Sequence, residues 1–255
     1  MNDRKHVADI TREEKINDAF VLVAGTLIDN YDVVDLLSTL VNTCTELLDV
    51  QAGGILLADS AGDLELVAST SEEAETVEIM TVAAGAGPCI DSYRTGTAVS
   101  VPDIDADAQL WPRFRRVALE QGFRAAHATP LRLHGQVIGA MNLMSTDLGV
   151  LSDRDSQLAQ ALADVATVGI MHERNFRQPG AVVAQLNLAL DTRILIEQAK
   201  GALAQYLTCT MSQAFAALRD YARTHEVSLR SAAQGILDRT IPIGMIVVPG
   251  EPDGS

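Results

Sequence analysis

The chain is short of cysteine, of aromatic residues and of positive charge. Its 255 residues include three cysteines, one tryptophan and 4% aromatic side chains. Cys44, Cys89 and Cys209 are odd in number, widely spaced and without a CxxC pair. That excludes a disulfide framework and any zinc site built from thiols alone, and predicts reduced, cytosolic thiols. No stretch approaches the roughly 20 apolar residues of a membrane-spanning helix, so no membrane partner is expected. The N-terminal MNDRKHVADI lacks the apolar core of a secretory leader, which again predicts a cytoplasmic location.

Basic residues number 19 against 34 acidic ones, a formal net charge of -15, and on average such a chain repels phosphate backbones. The shortage is uneven. Residues 1–180 hold 13 Lys/Arg against 27 Asp/Glu, whereas residues 181–240 hold 6 against 5. The segment 241–255 carries Glu251 and Asp253 and nothing basic. Different electrostatics predict different domains with different partners. Hydrophobic residues, at 47%, are plentiful enough for a real core and argue against disorder.

The first 172 residues are predicted to form an α+β domain with an antiparallel sheet. Helical spacing is clear over 12–29 and 32–49, the second behind a capping Asp32, with Val33, Leu36, Leu37, Leu40 and Val41 on one face. Ile55–Leu57 and Leu64–Ala68 flank a Ser60–Asp63 turn as a hairpin, and 124–133 with 136–144 form another around His134-Gly135. Val99 and Val101 start a strand after Gly96. A helix over 153–172, capped by Ser152 with Asp153 and Asp155 in its first turn, closes the domain.

The segments GPCIDSYRTGTAVSVPDI (87–104), WPRF (111–114) and TPLRLHGQVIGAMNL (129–143) resemble those of a GAF domain, over roughly residues 20–170. The resemblance implies a central sheet with a pocket on one face and helices on the other, in a family whose members bind very different small molecules and some none, so the ligand is not named by the fold. Cys89, Tyr93, His127 and Met141 are the pocket candidates. Cys89 follows Gly87-Pro88 at a helix start, where a thiol pKa can fall, although a small packed residue is the plainer role. His127 and His134 are weak haem-ligand candidates. The alternating Asp103, Asp105 and Asp107 lack the Gly and closing Glu of a calcium loop, and belong to a solvated loop. The NKFDE-type signature of cyclic-nucleotide-binding members is absent. With no nucleophile–base pair, P-loop or GxGxxG pattern, the sequence assigns no metal, no cofactor and no enzymatic activity.

Gln178-Pro179-Gly180 predicts a linker or kink over 173–180. Beyond it lies a predicted three-helix all-α bundle at 181–240, joined to the first domain through a long helical, coiled-coil-like segment. Val183, Leu186, Leu190 and Ile194 form a stripe that asks for a partner helix, in a dimer seam or within the chain. Thr210-x-x-Gln213 fits a capping box, and Ser228 caps the third helix. ALDTRILIEQAKGALAQ (189–205), AFAALRDYAR (214–223) and SLRSAAQGIL (228–237) resemble the three motifs of an ANTAR domain, the RNA-binding antitermination module of bacterial regulators. The departure is Leu203-Ala204, where the family often has Leu-Met.

By that resemblance the partner is RNA, as stem-loops in nascent leader transcripts, and two hairpins imply a homodimer. The RNA-binding candidates are Arg193, Gln198, Lys200, Gly201, Arg219, Tyr221, Arg223 and Arg230. Arg193 and Lys200 lie seven residues apart on one helical face, as do Arg219 and Arg223 at four, so each pair can track a backbone. Gly201 admits close approach of a helix or of RNA. The rival expectation is a ligand-sensing scaffold whose bundle binds a protein. The apolar Ile241, Ile243, Met245, Ile246, Val247 and Val248 are expected to dock on the sensor domain or on a partner subunit.

Overall fold

The computed structural model describes residues 12–25, 33–59, 61–106, 109–133, 135–171, 181–225 and 227–247. The expected linker at 173–180, Asp32, Ser60, Asp107, His134 and Val248 lie outside the described residues. So do the side chains of Val183 and Leu186.

The sheet domain runs α1 (Arg12–Gly25), α2 (Val33–Leu47), β1 (Ala52–Ala58), β2 (Leu64–Ser69), α3 (Glu72–Ala84), α4 (Pro88–Thr95), β3 (Val99–Val101), α5 (Pro112–Glu120), β4 (Ala125–Leu133), β5 (Gln136–Ser145) and α6 (Asp153–Met171). The strands form one antiparallel sheet in the order β2-β1-β5-β4-β3, so β2 and β3 are its edges. Strands β1, β4 and β5 are buried along almost their whole length because helices cover both faces. Their side chains therefore sort by register. Ile55, Leu57, Leu131, Met141 and Leu143 point into the core shared with α2 and α6. Ala52, Leu56, Ala126, Ala128, Ala140 and Met144 line the opposite face, against α3, α4 and α5. Small residues dominate that second face, which lets three short helices approach closely.

Helix α3 was not distinguished in the sequence. It starts at Ser71, whose hydroxyl accepts the Ala74 N–H at 3.2 Å, and stops at Gly85 with φ 60°, a left-handed conformation that glycine adopts without strain. Ser152 caps α6 as expected, its Oγ accepting from the Asp155 N–H.

The bundle comprises α7 (Ala181–Leu207), α8 (Met211–Thr224) and α9 (Leu229–Leu237), each packed on the other two. Thr210 and Gln213 form a reciprocal capping box at α8, and Ser228 accepts the Ser231 N–H at α9. Ile196, Ala199, Leu203, Leu218, Leu229, Ala233 and Ile236 fill the interior. Of the α7 stripe, Leu190 is buried and Ile194 is exposed. The segment after α9 differs from expectation, because it lies on the bundle itself. Ile241 packs on Gly235, Gly244 lies beside the Tyr206 hydroxyl, and Ile246 is buried.

Candidate nucleic-acid interface

Helix α7 packs against α2 and the edge strand β2 as well as against its own bundle. This brings Arg193 onto the sheet domain. Its Nη2 donates to Glu75 Oε1 of α3 at 2.9 Å and its Nη1 to the Leu66 carbonyl of β2. Two turns on, the Lys200 ammonium donates to both oxygens of Glu197 at 2.9 and 3.0 Å and stands 5.5 Å from the centre of the Phe215 ring. Only 11% of its side chain reaches solvent. Arg219 of α8 is exposed, and its charge opposes the upward pKa shift that burial imposes on Asp35 of α2. A cavity of about 170 Å³ separates α3 from α8, lined by Ser71, Glu72, Glu75, Lys200, Phe215 and Arg219 among others. Three of the candidate cations thus converge where the bundle meets the acidic domain.

The other candidates stand apart. Arg223 is 81% exposed and pairs with Asp220 within its own helix. Tyr221 stacks on His225 with centroids 3.9 Å apart. Arg230 donates to the buried Thr192 hydroxyl at 2.9 Å, tying α9 to α7. Gln198 is exposed, and among the described residues nothing comes within 4 Å of a Cβ placed on Gly201.

The four pocket candidates fall on opposite faces of the sheet. Cys89 and Tyr93 belong to α4. His127 and Met141 face α2 and α6, where Met141 is buried and His127 Nε2 meets Ser156 Oγ at 3.2 Å. His127 Nδ1 meets Ser100 Oγ at 2.7 Å, and burial pulls the imidazole pKa down. Both ring nitrogens are therefore engaged. Cys89 is fully buried, and burial with the nearby Glu78 pushes its thiol pKa up rather than down. Asp105 pairs with Arg115, and its backbone N–H donates to Asp103. Among the described residues no cluster of three or more metal-ligating side chains exists, and no helix is long and apolar enough to cross a membrane.

Sequence reasoning missed Glu78, the most unusual side chain on the α3–α5 face. It is completely buried, with Oε1 accepting from Asn142 Nδ2 of β5 at 2.9 Å. Burial raises its pKa from 4.5 to about 7, against the opposing effect of the Asn142 bond. Among the described residues Glu78 Oε2 and Asn142 Oδ1 have no partner. Gly54 leaves the room this needs: a Cβ there would sit 2.8 Å from Glu78 Cγ. The Gly53-Gly54 step inside an apolar strand was the available signal, since glycine in a strand marks close approach.

Residues 30–171 match the family model for the GAF domain, and residues 184–237 match that for the ANTAR domain. No curated protein matches the chain. Among solved structures it is similar to the GAF domain of a phosphoenolpyruvate-protein phosphotransferase from Coxiella burnetii, at 13% identity and TM-score 0.50, covering 64% of this chain and 97% of that one. Another GAF-domain structure gives 14% identity, TM-score 0.50, and coverage of 63% and 90%. The free methionine-R-sulfoxide reductase of Neisseria meningitidis, solved with its substrate, gives 17% identity, TM-score 0.49, and coverage of 74% and 99%.

A helix-covered antiparallel sheet followed by a three-helix bundle, each with its own family match, defines a two-domain signalling regulator. The chain belongs to the GAF–ANTAR family: a sensor domain followed by an RNA-binding antitermination domain.

Proposed function

We propose that this regulator binds stem-loops in nascent leader RNA and prevents transcription termination, under control of its sensor domain. The observation that carries this reading is the ANTAR match over 184–237, which includes Arg193 and Lys200. RNA loops are held by cationic contacts to phosphate together with stacked aromatic groups. Arg193, Lys200 and Arg219 supply the cations. Here the first two are held by carboxylates, with Arg193 against the sensor domain, so RNA and sensor compete for Arg193. The arrangement is a closed one, and a ligand of the sensor would act by shifting it toward an open form. The chain works as a cytoplasmic homodimer that senses and binds rather than catalyses. Exposed apolar residues on the outer helices, Val21, Leu22 and Val168, support an association between copies.

The test is binding of a two-hairpin leader RNA by the wild type and by a double variant, Arg193→Ala with Lys200→Ala. Loss of affinity in the double variant, with wild-type circular dichroism and a shallower salt dependence, is expected. Undiminished affinity with the fold intact would remove these residues from the RNA site. Light scattering of the purified chain checks the dimer.

A further inference from the structure

Helix α3 touches both halves of the molecule through two carboxylates one turn apart. Glu78 reaches inward over Gly54 to Asn142, and Glu75 reaches the α7 arginine. The inward group carries a chemical instruction. Glu78 and Asn142 share one hydrogen bond, and each has one further oxygen that is buried and has no partner among the described residues. A single proton on Glu78 Oε2 resolves both: the acid O–H can donate to Asn142 Oδ1 while Asn142 Nδ2 donates to Oε1, closing an acid–amide ring. Without that proton, two unpartnered acceptors and a buried negative charge remain, which is costly.

We propose that α3 is the transmission element of this protein: an acid–amide pair between Glu78 and Asn142 fastens it to the sheet, and Glu75 on the same helix holds the Arg193 that the RNA needs. This rests on the RNA-binding role of Arg193 given above. Splitting the inner pair releases α3 from β1 and β5. Glu75 then moves with it, the Arg193–Glu75 ion pair is lost, and the β2 carbonyl alone is left to hold Arg193. The cavity beside Glu72 and Glu75 gives the helix room to move. Coupling of this kind is physical, because one rigid element is biased from both ends.

The surroundings of Glu78 leave the proton as the controlling species. Cys89 on α4 is the titratable neighbour that shares an electrostatic interaction with it, and burial keeps that thiol protonated. On β1 and β5 it faces Gly54 and Asn142, which are uncharged. The charged groups of the other packed elements are committed elsewhere or face solvent. Asp91 of α4 accepts from Trp111 Nε1, Arg115 of α5 pairs with Asp105, and Arg94 and Glu65 are exposed. Glu75 itself is neutralised by Arg193.

Hydrogen–deuterium exchange on the full chain tests the coupling without any RNA. Between about pH 6 and about pH 8, after correction for intrinsic rates, opening of α3 should rise about tenfold in the wild type, with β2 and α7 following. Glu78→Gln keeps the pair with an amide in place of the acid, so its protection should not change with pH. Glu75→Gln should loosen β2 and α7 at the lower pH while α3 stays protected. The proposal is overturned if α3 opens in the wild type and α7 does not, or if Glu75→Gln leaves α7 unchanged. Should Glu78→Gln not fold, the wild-type and Glu75→Gln arms decide alone. A companion titration of the same variants with the two-hairpin RNA separates the two claims. If α3 and α7 move together but no variant binds RNA, the antitermination reading fails and the coupling stands.

Discussion

Replacing Glu78 by glutamine should erase a pH dependence from folding while keeping the contact that holds α3. The native carboxyl has its pKa raised from 4.5 to about 7 by burial. The folded chain therefore keeps a proton that the unfolded chain gives up, and stability falls as pH rises between those two values. The contribution is complete below about pH 4.5 and lost above about pH 7. That window, about 2.5 units at roughly 1.4 kcal/mol each, corresponds to about 3 kcal/mol. The glutamine side chain keeps the acceptor and a donor of the protonated acid in nearly the same shape, and it does not titrate. Urea unfolding followed through Trp111, the single tryptophan, reports on the sensor domain. The informative quantity is the stability difference between the two proteins, since other titrations cancel in it. It should move in favour of the variant by about 3 kcal/mol between about pH 4 and about pH 8. A difference that stays flat across this range would show that Glu78 ionises freely in the native state, and would refute the acid–amide pair.

Gly54→Ala places a methyl group against Glu78 Cγ and should cost about 1–3 kcal/mol in the same assay, through overpacking. In a Glu78→Ala background the clash is gone, and a cost as large as before would show that Glu78 is not what Gly54 accommodates. Thiol titration of the native chain should find one reactive cysteine, Cys209, which is partly exposed. Cys44, its pKa pushed up to about 12 by burial, and Cys89 should react only on unfolding, so three fast thiols would contradict the packing.

The parts of the fold that could be read in advance are those whose local pattern and burial agree. The capping box at Thr210, the serine caps at Ser152 and Ser228, and the periodicity of α2 and α8 are decided within a few residues of themselves. Helix α3 was hidden because its sequence, EEAETVEIMTVAA, carries no clean apolar stripe. Its Glu78 looks like one more solvated carboxylate until the sheet places Gly54 and Asn142 beneath it. The pocket candidates show the same limit. Whether a strand residue faces α3–α5 or α2–α6 depends on register, and the bulge between Leu131 and Arg132 resets the alternation near the end of β4. Arg193 and Lys200 were legible as motif positions. Their carboxylate partners were not equally so: Glu197 is a neighbour in sequence, whereas Glu75 lies 118 residues away.

The capture of the Leu66 carbonyl by Arg193 bears on solubility as well as on signalling. β2 is an edge of the sheet, and a bare edge invites pairing with any strand that meets it. In the closed form α7 and its arginine blunt that edge, and the outward Glu65 adds a repelling charge. An opened molecule gives up the first protection and keeps only the second. Under the proposed mechanism the RNA-binding state is the more adhesive one, and a long-lived open population carries a risk of aggregation that a brief one does not.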